Sequence, residues 1–326
     1  MTENLRPFVM TPVLSPRPWG GRRLEEYGKE LPEGALIGES WEVADLAEDV
    51  VAYIDDPRSR VASGPFRGHS LADLIAGNRD ELLGPIAPTD EGRFPLLVKL
   101  LDAREHLSVQ VHPHQEYVAE HPGARLKTES WYVVEAEPEA TMFYGFEAGL
   151  SRKDVVPSIG TSDIVPTLYT MHPEPGSFHN IPAGLVHSLG AGLMVAEIQT
   201  PSDTTYRLYD WAVEYGREPR PLHAEEGAAS ILLNPAYAYS LPPAQGRGTR
   251  LLISNRDYWI REHRTNTTLT LAKRPGPRVM MVIRGSLELD GLQLRQGGTA
   301  IIPAAALDSS VTAKRPSTIL EIGLQG

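Results

Sequence analysis

Proline and glycine interrupt this chain along its whole length, and they restrict its fold more than any other feature of the sequence. The 326 residues include 28 prolines and 29 glycines. This density breaks up long helices and favours many short strands joined by turns. Apolar residues have helical spacing at 69–85, and residues 219–233 also have the pattern of a helix. We therefore expect a mainly β fold with a few helices inserted or appended.

One hairpin pattern occurs twice. In residues 176–187 the order is Gly, five residues, Pro, one residue, Gly, two residues, His. Residues 297–308 repeat this order, with Ala305 in place of the second glycine and Asp308 in place of the histidine. Each copy predicts a strand, a proline-led turn and a second strand. The spacing resembles the second motif of the cupin superfamily of β-barrels, in which the final histidine binds a metal.

The repeat indicates two related cupin-like (jelly-roll) barrels. Residues 1–240 are expected to form a metal-binding catalytic domain with helical additions. Residues 241–326 are expected to form a degenerate cupin-like barrel that has lost its metal site. The Pro- and Gly-rich stretch 241–249 is the best candidate for a linker, although a long loop inside one domain would have the same composition. The pair Asp290-Gly291, between alternating flanks, predicts a two-residue hairpin near the C-terminus.

Charge and composition narrow the classes of partner. The net charge of -11 argues against nucleic acid and anionic membranes, and an anionic substrate would need a local concentration of cations. No apolar run approaches the roughly 20 residues of a membrane helix, and the N-terminus lacks the features of a signal peptide. The absence of cysteine excludes disulfides and thiolate metal ligands. We expect a cytoplasmic protein.

Two strand-like segments place polar residues where a metal site could form. In LSVQVHP, 107–113, strand alternation separates a polar face from an apolar one. The polar face carries Ser108, Gln110 and His112, and the apolar face carries Leu107, Val109 and Val111. In KTESW, 127–131, Lys127 and Glu129 share a face with Trp131 just before an apolar run. A solvent-facing edge with an ion pair is the alternative interpretation of that charged pair.

Four side chains from these segments and the first repeat form a candidate ligand set, namely Gln110, His112, Glu129 and His187. Two imidazoles, one carboxylate and one amide oxygen suit Zn²⁺, Mn²⁺ or Fe²⁺. A site without thiolates and with an exchangeable water is of the catalytic type. Of the other histidines, we expect His179 on the turn side of its hairpin and most of the rest, including His263, in solvent.

Longer motifs carry a family resemblance. The stretches FPLLVKLLDAREHLSVQVHP, LKTESWYVVEA, IPAGLVHSLGAG and VAEIQTPSDTTYRLYDW occur in the order found in type I mannose-6-phosphate isomerases, a zinc-dependent cupin family. The segments PRPWGGRRLEEYG and IGESWEVADL also fit, and the length is most similar to the short bacterial branch. The resemblance covers residues 8–235 by motif and the C-terminal barrel by pattern alone. His114, Leu126 and Ser130 differ from the residues common in the family. None of them is a proposed metal ligand, so the differences concern substrate preference.

The resemblance implies a reaction and a role for each site residue. The reaction is the reversible interconversion of mannose 6-phosphate and fructose 6-phosphate, with one Zn²⁺ per chain. The positions that match zinc ligands of the family are His112, Glu129 and His187, with Gln110 as the fourth. Arg207 matches an active-site arginine. Positions around the substrate are matched by Ser108, Lys127, Glu197 and Asp203.

Such an isomerisation requires a base, because a proton moves between C1 and C2 through an enediol. It also requires a cation near the negative charge that develops on the substrate. Glu197, a carboxylate in an otherwise apolar strand, is one candidate base. Asp203, Lys127 and a hydroxide supplied by the metal site are the others, and Glu197 and Asp203 could instead orient Arg207. Arg207 and Lys127 are the cations expected near the phosphate, with Ser108 as a hydroxyl donor.

Other functions stay open at the level of sequence. One is an isomerase that acts on glucose 6-phosphate. Another is a non-haem iron oxygenase, because two histidines and a carboxylate also form the facial triad of that class, although Lys127 and Arg207 would have no role in it. A third is a non-catalytic binder of sugar phosphates. The chain is compatible with a monomer or a homodimer.

Overall fold

The strands of the described residues form four antiparallel sheets, which we number I to IV. A computed structural model describes residues 5–47, 54–306 and 308–325. Sheet I has the strand order β13 (Tyr206–Tyr209), β6 (Val109–Val111), β11 (His187–Leu189), β8 (Met142–Phe146) and β9 (Leu168–Met171). Sheet II has the order β14 (Tyr239–Leu241), β10 (Phe178–Ile181), β7 (Glu129–Ala136), β12 (Leu193–Gln199), β5 (Leu97–Ala103), β3 (Ile37–Val43) and β2 (Val13–Gly21).

The C-terminal strands form the other two sheets. Sheet III has the order β15 (Gly248–Ser254), β16 (Tyr258–Thr265), β23 (Ser317–Leu324), β18 (Arg278–Arg284), β21 (Thr299–Ile302), β1 (Phe8–Thr11) and β4 (Arg60–Val61). Sheet IV has the order β17 (Thr268–Leu271), β22 (Ser309–Thr312), β19 (Ser286–Leu289) and β20 (Leu292–Arg295).

Apolar side chains join the sheets into layers. Trp131 and Val195 of sheet II pack with Met142 and Leu189 of sheet I in one cluster. Sheets III and IV enclose a separate cluster. The largest cluster lies between sheets II and III, because alternate residues of their strands face each other there. The expected mainly β fold with two cupin-like barrels is therefore confirmed, and the barrels meet back to back through sheets II and III.

Within the ranges that the structure describes, helices are few and short, as the turn-rich sequence predicts. They are α1 (Leu71–Leu83), α2 (Gln115–Glu120), α3 (Arg152–Val155) and α4 (Ala224–Ser230), with 3₁₀ turns at Arg23–Tyr27, Val156–Ser158 and Ser162–Thr167. Helix α1 is confirmed, and Ser70 caps it through a reciprocal capping box with Asp73. The helix predicted over 219–233 is shorter than expected, because Pro219 and Pro221 disfavour helical backbone before it. No helix in the described ranges is long and apolar enough to cross a membrane.

The two halves of the repeat have matching geometry. The first copy places β10 before its proline turn and β11 after it, and the second copy places β21 and β22 likewise. The hairpin at Asp290-Gly291 is also confirmed, with positive φ values of 46° and 90°. Sheet III takes β1 and β4 from the N-terminal part of the chain. The division into residues 1–240 and 241–326 stays a prediction.

Candidate metal centre and active site

Three side chains from different strands of the first barrel converge at one buried point. His112 follows β6, Glu129 begins β7, and His187 begins β11. Their ligand atoms all lie within 4.8 Å of one another, and all three residues are buried. Strands β6 and β11 pair so that His187 is opposite Gln110, which brings the predicted polar face of 107–113 to this point.

Hydrogen bonds fix the orientation of both imidazoles. Nδ1 of His112 lies 3.0 Å from the carbonyl oxygen of Thr204, and Nδ1 of His187 lies 2.9 Å from that of Leu185. A carbonyl oxygen can only accept, so each Nδ1 carries a proton, and each Nε2 is the nitrogen that faces the point of convergence. The Nε2 atoms lie 3.3 Å and 3.0 Å from the two carboxylate oxygens of Glu129.

This arrangement has the donor chemistry of a divalent metal site. Nε2 of His112 and both carboxylate oxygens of Glu129 are buried and make no hydrogen bond within the described residues. Burial, together with the Lys127 cation, lowers the pKa of His112 to about 3, so the imidazole is neutral. Burial opposes ionisation of Glu129, but the Lys127 cation holds its pKa well below the usual value. Two imidazoles and one carboxylate are suitable metal ligands, and a metal would satisfy these buried polar atoms that make no hydrogen bond.

Lys127 and Gln110 flank the three convergent side chains. The Lys127 ammonium is buried and lies 3.0 Å from Glu129, so the solvent-facing interpretation of this charged pair is wrong. Nε2 of the Gln110 amide lies 3.2 Å from Nε2 of His187. Because a half-turn of the amide would exchange its nitrogen and oxygen, the oxygen can face the same point. Gln110 as the fourth ligand stays a prediction.

A cavity of about 180 Å³ adjoins this group, and the sequence predicted about half of its polar lining. The predicted residues in its wall are Ser108, Gln110, Lys127, Glu197, Asp203 and Arg207. The lining residues that the sequence analysis did not assign to the site include Arg17, Trp19, Glu39, Lys99, Thr205 and Arg220. Leu107 also lines the cavity, contrary to the expected alternation, because β6 begins only at Val109.

Arginines make one wall of the cavity cationic. Arg207 donates from Nη1 to the carbonyl of Pro221 at 2.7 Å, and its buried Nε makes no hydrogen bond with any described residue. Burial and the neighbouring Arg220 lower the pKa of Arg207 to about 10, which leaves it charged at neutral pH. Arg220 is held by Asp210 through two hydrogen bonds, of 2.8 and 3.0 Å. A desolvated guanidinium with a free donor is suited to bind an anion.

A buried charge network forms another part of the wall. Nζ of Lys99 lies 3.0 Å from Glu197 and 3.5 Å from Glu39. The indole of Trp131 donates to Glu197 at 2.9 Å, and Arg17 pairs with Glu39 at 2.8 Å. The sequence signal for Lys99 was available, since LVKLLDA places one lysine in the middle of an apolar strand.

Two histidines differ from expectation, since His179 was predicted on the turn side of its hairpin and His263 in solvent. His179 is buried within β10, between the hydroxyls of Ser177 and Ser240. His263 is buried in sheet III and lies 2.9 Å from Glu321. Neither lies in the wall of the cavity, so both have structural partners rather than a place in the candidate site.

Comparison with known proteins agrees with the geometry. Residues 8–147 match the family described as phosphomannose isomerase type I, catalytic domain. A mannose-6-phosphate isomerase of Streptococcus mutans is 33% identical over 309 residues, which cover 91% of this chain and 92% of the relative. A mannose-6-phosphate isomerase of Bacillus subtilis is 36% identical over 206 residues, which cover 63% of this chain and 61% of the relative.

A solved structure extends the agreement to the whole fold. The crystal structure of the mannose 6-phosphate isomerase from Bacillus subtilis superposes with a TM-score of 0.83 at 29% identity, over 98% of this chain and 99% of that one. A solved structure from Archaeoglobus fulgidus shares the fold, with a TM-score of 0.78 at 20% identity over 100% of both chains. The chain belongs to the type I mannose-6-phosphate isomerase family.

Proposed function

We propose that the protein catalyses the reversible isomerisation of mannose 6-phosphate and fructose 6-phosphate. The observation that carries the proposal is the buried group of His112, Glu129 and His187 beside a cavity whose wall includes Arg207 and Lys127. A metal site next to cationic groups suits a sugar phosphate better than the substrates of an oxygenase. Relatives of this chain over most of its length are named for the same reaction.

The ion that we propose is one Zn²⁺ per chain, held by His112, Glu129 and His187 with Gln110 as the fourth ligand. When bound, it supplies a Lewis acid that stabilises negative charge on the substrate oxygens. Proton transfer between two carbons requires no change in the oxidation state of the metal, so the redox-inactive Zn²⁺ is suitable. The hydrogen bonds at both Nδ1 atoms would hold the imidazoles in the ligating orientation before the ion arrives.

Substrate binding is assigned to the cationic wall. Arg207 would receive the phosphate through its Nε, since that donor is buried and makes no hydrogen bond within the described ranges. Ser108 and Asp203 would bind sugar hydroxyls, because both line the cavity. Lys127, which pairs with Glu129, would bind a substrate oxygen close to the metal. In a chain of net charge -11 these local cations are needed to capture a dianion.

Glu197 is the base that we propose for proton transfer between C1 and C2. Its Oε2 accepts the indole hydrogen bond of Trp131, which orients the carboxylate. Its Oε1 lies 3.0 Å from Nζ of Lys99, and the residue lines the cavity. A carboxylate that is oriented in this way in the wall of the cavity is suited to accept a proton from carbon.

A coupled assay for fructose 6-phosphate tests the reaction. The metal-replete protein should convert mannose 6-phosphate, lose this activity after chelation and regain it with Zn²⁺. Glucose 6-phosphate in the same assay is the matched control for substrate class. Absence of a ketose product from mannose 6-phosphate with the metal-replete protein would contradict the proposal. We also propose a cytoplasmic location and a monomer or homodimer.

A further inference from the structure

A tyrosine from the second barrel contacts the back of the strands that carry the metal site. Tyr258 begins β16 in sheet III, and its side chain is fully buried. Its hydroxyl lies 3.0 Å from the hydroxyl of Ser130 on β7 and donates to the carbonyl oxygen of Ile198 on β12 at 3.3 Å. One phenol of sheet III therefore connects two neighbouring strands of sheet II.

The two strand positions that it contacts are adjacent to site residues. Ser130 and Ile198 lie opposite each other in the β7–β12 ladder. Ser130 follows the ligand Glu129, and Ile198 follows Glu197. Because side chains alternate along a strand, Glu129 and Glu197 point to the cavity side of sheet II while Tyr258 contacts the other side.

This contact comes at the end of the ladder. Glu129 is the first residue of β7 and its partner Gln199 is the last of β12. Backbone hydrogen bonds at the end of a ladder open more easily than those in its middle. The hydrogen bonds of Tyr258 lie one residue inward from this end and limit the opening. They act next to Glu129, whose carboxylate extends from the end of the ladder.

The tyrosine itself is held in place. Its backbone N–H donates to Oδ1 of Asn255 at 2.9 Å, and it pairs with Leu324 in the β16–β23 ladder. Ser130 donates its hydroxyl proton to Oδ1 of Asn180 at 3.2 Å and so accepts from Tyr258, which places the hydroxyl pair in a fixed network. Burial raises the pKa of Tyr258 well above its ordinary value, so the phenol keeps its proton.

We propose that Tyr258 is a positioning residue through which the second barrel fixes the geometry of the metal centre. Its hydroxyl sets the spacing of β7 and β12, and thereby the distance from the Glu129 carboxylate to the two histidines. The expected effect on kcat rests on the proposed function. The expected effect on metal affinity does not, because it reports on the same geometry without turnover. Ligating groups must be held within about 0.5 Å of their productive positions, so a small shift of β7 is sufficient to weaken binding.

Tyr258→Phe tests the proposal, because it removes one oxygen and keeps the packing. Tyr132→Phe is the matched control. The Tyr132 hydroxyl also joins sheets II and III, because it donates to Glu262 at 2.6 Å, but Tyr132 lies further along β7 from Glu129 than Ser130 does. We would measure the zinc dissociation constant by chelator competition, the melting temperature of each apo-protein, and kcat and KM for mannose 6-phosphate.

We expect Tyr258→Phe to raise the zinc dissociation constant about three- to tenfold, less than the 10- to 100-fold typical of groups that contact a ligand directly. It should lower kcat by a similar factor with little change in KM. Tyr132→Phe should leave the zinc dissociation constant within twofold of the parent, even if both variants melt at similar temperatures. Equal zinc affinities in the two variants, or an unchanged affinity in Tyr258→Phe, would overturn the proposal.

Ser130→Ala separates the proposed path from a general loss of packing. If Tyr258 acts through Ser130, the double variant should have about the same zinc affinity as either single variant, whereas independent effects would multiply. Multiplying effects would overturn the path through Ser130. A parent protein that binds zinc tightly but does not isomerise mannose 6-phosphate would contradict the proposed function, and the affinity comparison would still decide the role of Tyr258.

Discussion

Replacement of Lys99 by methionine should destabilise the protein strongly, because it leaves a buried carboxylate without its cation. Lys99 is only 4% exposed, and its Nζ lies 3.0 Å from Glu197 and 3.5 Å from Glu39. Glu39 would keep its ion pair with Arg17. Glu197 would keep only the indole of Trp131 among the described residues. The main loss therefore falls on Glu197.

The magnitude follows from the burial of both partners. Removal of one member of a buried ion pair costs about 3–5 kcal/mol. At about 2 °C per kcal/mol for a chain of this size, the melting temperature should fall by roughly 6–10 °C. Differential scanning calorimetry of the apo-protein at pH 7 measures this change. The exposed Lys153→Met is the control, and it should shift the melting temperature by less than about 2 °C.

A second substitution tests the cause. Adding Glu197→Gln to Lys99→Met removes the uncompensated charge, so the double variant should regain most of the lost stability. The reasoning is refuted if Lys99→Met melts like the parent. It is also refuted if the double variant is no more stable than Lys99→Met, because the loss would then come from packing and not from charge.

Two further predictions concern binding and pH. Arg207→Ala should keep the parent's zinc content, measured by metal analysis, and lower kcat/KM in the coupled assay by a factor on the order of 10². The exposed Arg247→Ala is the control and should change neither quantity. Loss of the metal in Arg207→Ala would contradict the assignment of Arg207 to the substrate. Burial lowers the pKa of His179 to about 4 in the folded protein, so the unfolded chain binds the proton first as the pH falls below about 6.5 and stability declines down to about pH 4. Between pH 6.5 and pH 5 this group should account for about 2 kcal/mol of lost stability, and His179→Gln should remove that part of the pH dependence in urea unfolding; equal pH dependence in parent and variant would contradict it.

Local patterns predicted a large part of this molecule. Helix α1 has its apolar spacing and its cap within one short segment, and the Asp290-Gly291 turn is specified by two residues. The polar face of 107–113 was predicted by alternation, and the structure places Ser108 and Gln110 in the wall of the cavity. These features were accessible because the physical cause lies within a few residues of the effect.

The sequence could not supply features whose partners come from distant strands. Lys99 is conspicuous in its apolar strand, but its partners Glu39 and Glu197 join it only when β3, β5 and β12 lie side by side. His263 is buried because β23 brings Glu321 next to it, 58 residues away. The contact of Tyr258 with β7 likewise depends on the packing of two barrels, which neither barrel's own pattern encodes.

Zinc titration of the chelated protein and of His187→Ala, followed by a mannose 6-phosphate assay of each sample, tests the central claim most directly. The parent should bind one zinc per chain and regain isomerase activity in proportion to occupancy. His187→Ala should keep its circular dichroism spectrum, lose tight zinc binding and show no recovery of activity. If His187→Ala binds one zinc with the parent's affinity and converts mannose 6-phosphate, the assignment of the metal centre to His112, Glu129 and His187 is wrong.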